Sequence, residues 1–98
     1  MDAEDYVEAV LSVVERVPRG RVTTYGAIAA HVGTGGPRQV GRVMALYGGP
    51  VPWWRVVHSD GSPPTCHDGE AAERYRAEGT PRRDSGRVDL QAAFWSPG

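Results

Sequence analysis

The sequence predicts a mainly α-helical fold in which a pair of short helices is followed by a small β-hairpin. Apolar residues recur at spacings of three and four through residues 2–17, 24–32 and 37–47, which is the period of an amphipathic helix. A tight turn with three glycines, residues 33–36, separates the last two of these segments. Downstream, an extended run ends at the hairpin-turn signal Ser59-Asp60-Gly61-Ser62. These features predict one winged helix-turn-helix domain spanning residues 1–98, with the hairpin as its wing.

The first helix is predicted over residues 2–17. Asp2 is a good N-cap, and Glu4 and Asp5 interact favourably with the helix dipole in the first turn. Pro18-Arg19-Gly20 ends the helix. The face that we expect to be buried carries six apolar side chains, namely Tyr6, Val7, Val10, Leu11, Val14 and Val17.

The next two helices form the predicted helix-turn-helix. Thr24 can cap the second helix, which continues to Val32, and Pro37 suits the first position of a third helix that runs to about Tyr47. The apolar stripe of the second helix is Tyr25, Ile28, Ala29 and Val32, and that of the third is Val40, Val43, Met44 and Tyr47. The opposite stripe of the third helix has only small and cationic side chains, as in a helix that lies close to DNA: Arg38, Gly41, Arg42 and Ala45.

The second half of the chain predicts a strand, the wing, one more helix and a tail. Residues 55–58 are the expected strand, and the turn after it makes the hairpin. Asp68 can cap a final helix through about Glu78, which buries Ala71, Ala72 and Tyr75 and stops at Gly79. The tail, residues 88–95, is expected to fold back so that Leu90, Phe94 and Trp95 reach the core.

Composition excludes several classes of protein. The 98 residues are 40% hydrophobic, enough for one modest core, and the single cysteine, Cys66, excludes an internal disulfide framework and a cysteine-rich zinc site. No apolar run approaches the ~18 residues of a membrane span, and the acidic start is the wrong charge for a secretory signal. We therefore expect a cytoplasmic monomer that associates with the nucleoid when it is bound to DNA, without a cofactor or metal.

The net charge of −1 hides an uneven distribution of charge along the chain. Residues 16–59 carry six arginines and no acidic residue, whereas residues 1–15 carry five acidic residues and no basic one. Such a stretch predicts a local surface that faces anions. A solvated basic face, or a general bias toward arginine in a chain without lysine, would give the same pattern.

Three motifs in order carry a resemblance to a known family. They are Val17-Pro18-Arg19-Gly20-Arg21-Val22-Thr23-Thr24-Tyr25-Gly26, then Arg38-Gln39-Val40-Gly41, then Pro52-Trp53-Trp54-Arg55-Val56. Over about residues 3–79 the chain resembles the DNA-binding domain of the O6-alkylguanine-DNA alkyltransferases. In those enzymes the third motif reads Pro-Cys-His-Arg-Val, and the cysteine takes the alkyl group. Because Trp53 and Trp54 replace that Cys-His pair, the chain is similar to the alkyltransferase-like proteins, which bind alkylated guanine without repairing it.

The resemblance implies a set of functional residues. Tyr25, Trp53 and Val56 would line the lesion pocket, where the backbone carbonyls of Trp53 and Val56 would accept hydrogen bonds from a flipped guanine. Tyr25 would also help to rotate the nucleotide outward, and Arg38 would fill the gap in the base stack. The other implied DNA contacts are Thr24, Gly41, Arg42, Arg19 and Arg21. The implied partners are duplex DNA containing O6-alkylguanine and proteins of nucleotide excision repair.

The chemistry of the substitution can be judged without the family. Alkyl transfer needs a soft nucleophile activated by a base, and an indole is neither, so we expect no enzymatic activity. If the segment is extended, adjacent side chains point to opposite faces, so at most one of the two tryptophans lines the pocket. The resemblance implies that this one is Trp53, and Trp54 is then expected to pack, for example against the wing.

Other interpretations stay open at this point. Both tryptophans could be core residues, Tyr25 could serve only its apolar stripe, and Arg38 could contact phosphate or solvent. Cys66 with His67 could act as a relocated nucleophile, or His67 could replace a lesion-sensing arginine that related proteins carry nearby; zinc binding by His58 with this pair fits no standard spacing. A winged-helix transcription regulator that reads the major groove is the alternative outside repair.

Overall fold

The structure is a computed structural model that describes residues 1–64 and 69–98. Its helices and strands are α1 (Ala3–Arg16), β1 (Thr23–Thr24), α2 (Tyr25–Val32), α3 (Pro37–Tyr47), a 3₁₀ helix (Trp53–Arg55), β2 (Val56–Val57), α4 (Glu70–Glu78) and α5 (Leu90–Ala93). The mainly helical architecture is therefore confirmed. Over these two described ranges, no helix has both the length and the apolar character needed to cross a membrane.

The predicted caps of the first two helices are confirmed. The Asp2 carboxylate accepts the Asp5 N–H at 2.9 Å and starts α1, and the Thr24 hydroxyl accepts the Ala27 N–H at 3.0 Å and starts α2. Each bond satisfies a backbone donor that has no partner inside its helix. Gly33 ends α2 with a φ of 88°, a left-handed conformation that glycine adopts without steric cost.

The helix-turn-helix is also confirmed, because α3 follows α2 after the short turn and the two pack together. Pro37 is the first residue of α3, and the Gly36 N–H before it donates to the side chain of Gln39 at 2.7 Å. Val40, Val43 and Met44 are buried as predicted. Tyr47 was expected on the same stripe, and that prediction is wrong: the residue is 52% exposed. It lies in a groove beside the first turn of α1, which covers only part of it.

The two short strands form a parallel pair rather than a hairpin. Thr23 pairs with Val56 and Thr24 with Val57, and three of these four side chains are fully buried. The chain does turn after β2, where the His58 N–H donates to the Ser62 carbonyl at 3.0 Å. However, no antiparallel strand within the described residues returns along β2, because Pro63 and Pro64 follow the turn and have no N–H to donate. The predicted hairpin wing at this turn is therefore wrong.

A second turn packs against the first one. Arg82 and Val88 form an antiparallel bridge, and the Val88 N–H donates to the Gly61 carbonyl at 2.9 Å. Gly61 has a φ of 85°, and a Cβ there would collide with the Val88 carbonyl oxygen. The only antiparallel pairing among the described residues therefore lies in the segment after α4.

The tail folds back onto the core as predicted. The Val22 N–H donates to the Ala93 carbonyl at 3.0 Å, and the Trp95 N–H donates to the Val22 carbonyl at 2.7 Å. Leu90 and Trp95 pack on the core, but Phe94 is 42% exposed, which corrects the expectation that it would be buried. Phe94 is the C-cap of α5 and lies between Ala93, which is fully buried, and Trp95, which packs on the core, so its own side chain is left facing outward.

The last long helix, α4, is attached to the rest of the fold by an ion pair. Ala71 and Tyr75 are buried as predicted, and Gly79 ends the helix; Asp68, its predicted cap, lies outside the described residues. The Arg55 guanidinium donates to both carboxylate oxygens of Glu78 and to the Val17 carbonyl. Glu78 also accepts the Gly20 N–H at 3.1 Å.

This ion pair leads to a prediction about stability. Burial raises the pKa of the Glu78 carboxyl, but hydrogen bonds from Arg55 and Gly20 outweigh burial and hold that pKa below its usual value. We expect Glu78→Gln to lower the free energy of unfolding by about 2 kcal/mol at pH 7, because Arg55 loses its charged partner. Urea unfolding measures this, with the exposed Glu73→Gln as the control.

The sign of the pH dependence follows from the lowered pKa. The stability that the Glu78 carboxylate contributes is complete above about pH 5 and is lost as the pH falls through the folded-state pKa. The wild type and Glu78→Gln should therefore converge in stability in acid. A difference that stayed constant from pH 7 to pH 3 would contradict the ion-pair interpretation.

Candidate DNA-binding face and nucleotide pocket

A cavity of about 470 Å³ opens between α2, α3 and the chain that follows β2; we call it the α2–α3 cavity. That volume lies within the range of small-molecule and cofactor pockets. Its lining residues come from both helices of the helix-turn-helix and from the turn after β2: Tyr25, Gly26, Pro37, Arg38, Gly41, Ala45, His58 and Ser59.

Tyr25 stands at the centre of this arrangement. It is the first residue of α2, so the Thr24 cap and the end of β1 fix its backbone. The residue is only 8% exposed, yet its ring contributes to the cavity wall and contacts the His58 ring, with centroids 5.0 Å apart and planes tilted by 40°. Tyr25 thus serves both the apolar stripe of α2 and the cavity.

One stripe of α3 forms the opposite wall. Arg38, Gly41 and Ala45 all line the cavity, as their helical spacing predicts. A Cβ at Gly41 would lie 4.0 Å from the Tyr25 ring, so the glycine leaves open space beside that ring. Arg38 is exposed in the first turn of α3, where it makes no hydrogen bond or ion pair with a described residue. Within residues 1–64 and 69–98, no side chain or carbonyl holds its guanidinium.

Trp53 and Val56 do not line the α2–α3 cavity. Trp53 is 4% exposed and Val56 is fully buried, and both belong to the core. Trp53 starts a 3₁₀ helix rather than an extended strand, so the assumption of alternating faces at this pair is wrong. The Trp53 carbonyl already accepts the Val56 N–H, and a bound base would have to share this acceptor. Contact of these two residues with a flipped base stays a prediction.

Trp54 packs against α4, not against a wing. The Arg74 guanidinium lies 4.5 Å above the Trp54 ring and that of Arg55 lies 5.5 Å from it. The Trp54 carbonyl accepts the Tyr75 hydroxyl at 2.6 Å. Trp54 therefore helps to hold α4 in place, and it is absent from the residues that line the α2–α3 cavity.

The arginines of residues 16–59 do not form one continuous surface. Arg55 is in the ion pair with Glu78. Three more donate to backbone carbonyls of the second half of the chain: Arg16 to Pro97, Arg19 to Ala77 and Arg21 to Ala92, at 2.6, 3.0 and 2.7 Å.

Only two of the six arginines, Arg38 and Arg42, are on α3. Their spacing of four places them on one face of α3, but Arg38 lines the α2–α3 cavity, whereas Arg42 lines the groove beside α1 that also contains Tyr6 and Tyr47. The predicted contacts of Arg19, Arg21, Arg42 and Thr24 with DNA stay predictions, and Thr24 uses its hydroxyl oxygen as the α2 cap.

His58 and Ser59 are cavity residues that the sequence analysis did not assign to the pocket. Their position follows from the strand register, which no local pattern shows. Among the residues that the structure describes, the lining contains the cation Arg38 and the imidazole of His58 and no aspartate or glutamate. The nearby Asp60 is exposed; hydrogen bonds from Ser62 hold its pKa below the usual value, and Arg87 lies 3.8 Å away. Cys66 and His67 lie outside the described residues.

Comparison with known proteins identifies the family. Residues 5–80 match the family model of the 6-O-methylguanine DNA methyltransferase DNA-binding domain. The chain belongs to this family. The resemblance inferred from the three motifs is thereby confirmed.

Two relatives named as DNA base-flipping proteins and one solved structure match almost the whole chain. A DNA base-flipping protein of Escherichia coli is 36% identical over 98% of this chain and 79% of its own length. Another DNA base-flipping protein, from Vibrio parahaemolyticus, is 30% identical over 96% of this chain and 99% of its own length. The solved structure of Schizosaccharomyces pombe Atl1, in complex with damaged DNA containing O6-carboxymethylguanine, superposes with a TM-score of 0.85 at 30% identity, covering 99% of this chain and all of that one. The fold is thus that of an alkyltransferase-like protein.

The distribution of arginines predicts the salt dependence of DNA binding. Each phosphate contact contributes about −0.9 to the slope of log K against log salt. If all six arginines contacted phosphates, the slope would be about −5. We expect a slope of about −2 to −4, because only Arg38, Arg42 and the spare donors of Arg19 and Arg21 are left for phosphate contacts. Titration of a duplex at four salt concentrations measures this slope. A slope steeper than about −4 would mean that the internal bonds of Arg16 or Arg55 open on binding.

Proposed function

We propose that this protein is a non-enzymatic DNA damage sensor that binds O6-alkylguanine in duplex DNA by flipping the nucleotide through the minor groove. The observation that carries the proposal is the α2–α3 cavity, because it brings Tyr25, Arg38 and Gly41 together on one face of the helix-turn-helix. These are the residues that the family resemblance selects for rotating a nucleotide and for approaching the groove. The relatives named as base-flipping proteins and the DNA complex of Atl1 support the same function.

Arg38 and Tyr25 have complementary tasks in this proposal. The Arg38 guanidinium is planar, so it can stack between bases and donate to the base left without a partner, which an ammonium group cannot do. The Tyr25 ring is held rigidly at the start of α2, where it crowds the phosphate backbone and forms a wall for the extruded base. Gly41 has no Cβ, and this allows α3 to approach the groove floor closely.

The proposal assigns no alkyl transfer to this protein. Tryptophan occupies both positions of the Cys-His pair, and an indole can neither act as a soft nucleophile nor activate one. Trp53 is also buried in the core and not presented at the cavity. Recognition must therefore come from binding alone.

Part of the selectivity comes from the DNA. Flipping costs a few kcal/mol of stacking and pairing, and it costs least for a damaged base. O6-alkylation removes the N1 proton of guanine and so weakens its pair with cytosine. We expect a preference for the lesion of about 10- to 1000-fold, which corresponds to about 1.4–4 kcal/mol.

We also propose that the bound complex directs the lesion to nucleotide excision repair. A sensor that leaves the alkyl group on the base must act through its residence time and through the flipped DNA that it presents. The proposal further includes action as a monomer, in the cytoplasm and on the nucleoid. This recruitment step rests on the family resemblance and on the lack of an acceptor residue at Trp53.

Binding to two matched duplexes tests the function. One duplex carries guanine and the other O6-methylguanine at the centre, and affinities are measured at one salt concentration. We expect the preference stated above, with no methyl mass gained by the protein in mass spectrometry after incubation. Equal affinities would favour the winged-helix regulator instead, and a methyl mass on the peptide that contains Cys66 would show a transferase.

Arg38→Ala tests the mechanism of flipping. We expect it to lower affinity for the lesion duplex by about 1–3 kcal/mol, roughly 5- to 150-fold, because the gap in the stack is left unfilled. Arg76→Ala is the matched control, since it removes the same charge from an exposed position of α4 that does not line the cavity. Equal losses of affinity in the two variants would mean that Arg38 contributes only its positive charge to DNA binding.

A further inference from the structure

We infer that the turn of residues 82–88 is a second DNA-binding element, in which Arg83 and Arg87 contact phosphates of the bound duplex close to the flipped nucleotide. This inference rests on the proposed function, because it adds a contact to the DNA that occupies the α2–α3 cavity. It concerns a turn that follows α4, where the sequence analysis assigned no functional residue.

A depression of about 360 Å³ adjoins the α2–α3 cavity. Ser59 lines both of them, so they are neighbours on the surface of the protein. Arg83, Ser85 and Arg87 of the 82–88 turn are exposed and form another wall of the depression. A duplex whose nucleotide enters the cavity would therefore carry its backbone past these side chains.

The 82–88 turn is held in a fixed position. The Arg83 N–H donates to the Arg87 carbonyl at 2.8 Å, and the Gly86 N–H donates to the Arg83 carbonyl at 2.9 Å. Val88 is 1% exposed, and its N–H donates to the Gly61 carbonyl, so it ties the turn to the loop that contains Ser59. Because the backbone is already ordered, little entropy is lost there when a phosphate binds.

The charges and donors of the depression suit a phosphate. Among the described residues that line it, Arg83 and Arg87 are cations and Asp60 is an anion, which gives a net charge of +1. Arg87 and Asp60 are 3.8 Å apart and their side chains are more than half exposed, so this is a weak surface ion pair that leaves donors of Arg87 for a ligand. A guanidinium presents a planar set of N–H donors that matches a phosphate, and serine hydroxyls contact phosphates as well.

The affinity of Arg83→Ala for DNA tests the inference. We expect this variant to bind the guanine duplex and the O6-methylguanine duplex more weakly by the same factor, about 3- to 10-fold, because a phosphate contact carries no information about the base. Arg76→Ala is the matched control, since it removes the same charge from an exposed position of α4 that lines neither the cavity nor the depression. We expect less than about a twofold loss in this control, because salt screens a charge that is remote from the DNA.

Neutral phosphates locate the contact. Each phosphate on either side of the lesion is replaced in turn by an uncharged methylphosphonate. In the wild type, replacement of the contacted phosphate lowers the affinity, whereas in Arg83→Ala the same replacement has little further effect, because the partner is already absent. Arg76→Ala should keep the wild-type pattern, and Arg83→Lys should recover part of the affinity because it restores the charge without the planar fork.

The salt dependence gives an independent measure of the same contact. Each contact from the 82–88 turn adds about −0.9 to the slope expected from the arginines of residues 16–59. Arg83→Ala removes this increment, whereas an increment that came from opened bonds of Arg16 or Arg55 would persist in the variant.

Three results would overturn the inference. The first is an affinity of Arg83→Ala equal to that of the wild type, and the second is a loss that adds to the effect of neutralisation at every phosphate. The third is a loss confined to the lesion duplex, which would place Arg83 at the base. The proposed function is tested separately: it fails if the wild type binds O6-methylguanine no better than guanine, whereas the phosphate scan on the guanine duplex still reports the contact of Arg83.

Discussion

The parallel pairing of β1 with β2 is the constraint on which the site depends. Each strand has only two residues, and Thr24 lies opposite Val57. The carboxyl ends of parallel strands meet at the same edge, so the next residue of each strand, Tyr25 and His58, is delivered to the same place. The contact between their rings is a direct consequence. A shift of this register would separate His58 from Tyr25 even if every helix kept its place.

The cations of the chain divide into two groups with different tasks. Arg55 joins α4 to the end of α1 through Glu78 and Val17, and Arg19 and Arg21 bind carbonyls of the second half of the chain. These bonds hold the outer elements around the helix-turn-helix. The Arg38 guanidinium makes no hydrogen bond or ion pair with a described residue, and it lies in the first turn of α3 beside the cavity. Four of the six arginines in this basic stretch therefore bind other parts of the same fold.

Local sequence signals predicted the helices well, but the pairing of strands that are far apart in the chain could not be predicted from the sequence. The caps at Asp2 and Thr24 and the first position at Pro37 depend on neighbours within one turn, so the bounds of α1, α2 and α3 could be read directly. The partner of β2 lies far back along the chain, and a hairpin was predicted in its place. For the same reason, the position of His58 in the cavity wall was not predicted. A histidine after a short apolar run has no distinctive pattern, and its place becomes clear only when the strand register is known. Alternating faces were assumed at Trp53 and Trp54 because the 3₁₀ helix after Pro52 was not recognised.

A crystal structure of the protein with a duplex containing O6-methylguanine tests the central claim most directly. The account predicts that α3 lies in the minor groove, that Arg38 stands in the base stack, and that the methylated base occupies the α2–α3 cavity against Tyr25. A lesion that remains stacked inside the duplex, or α3 inserted in the major groove, would contradict it.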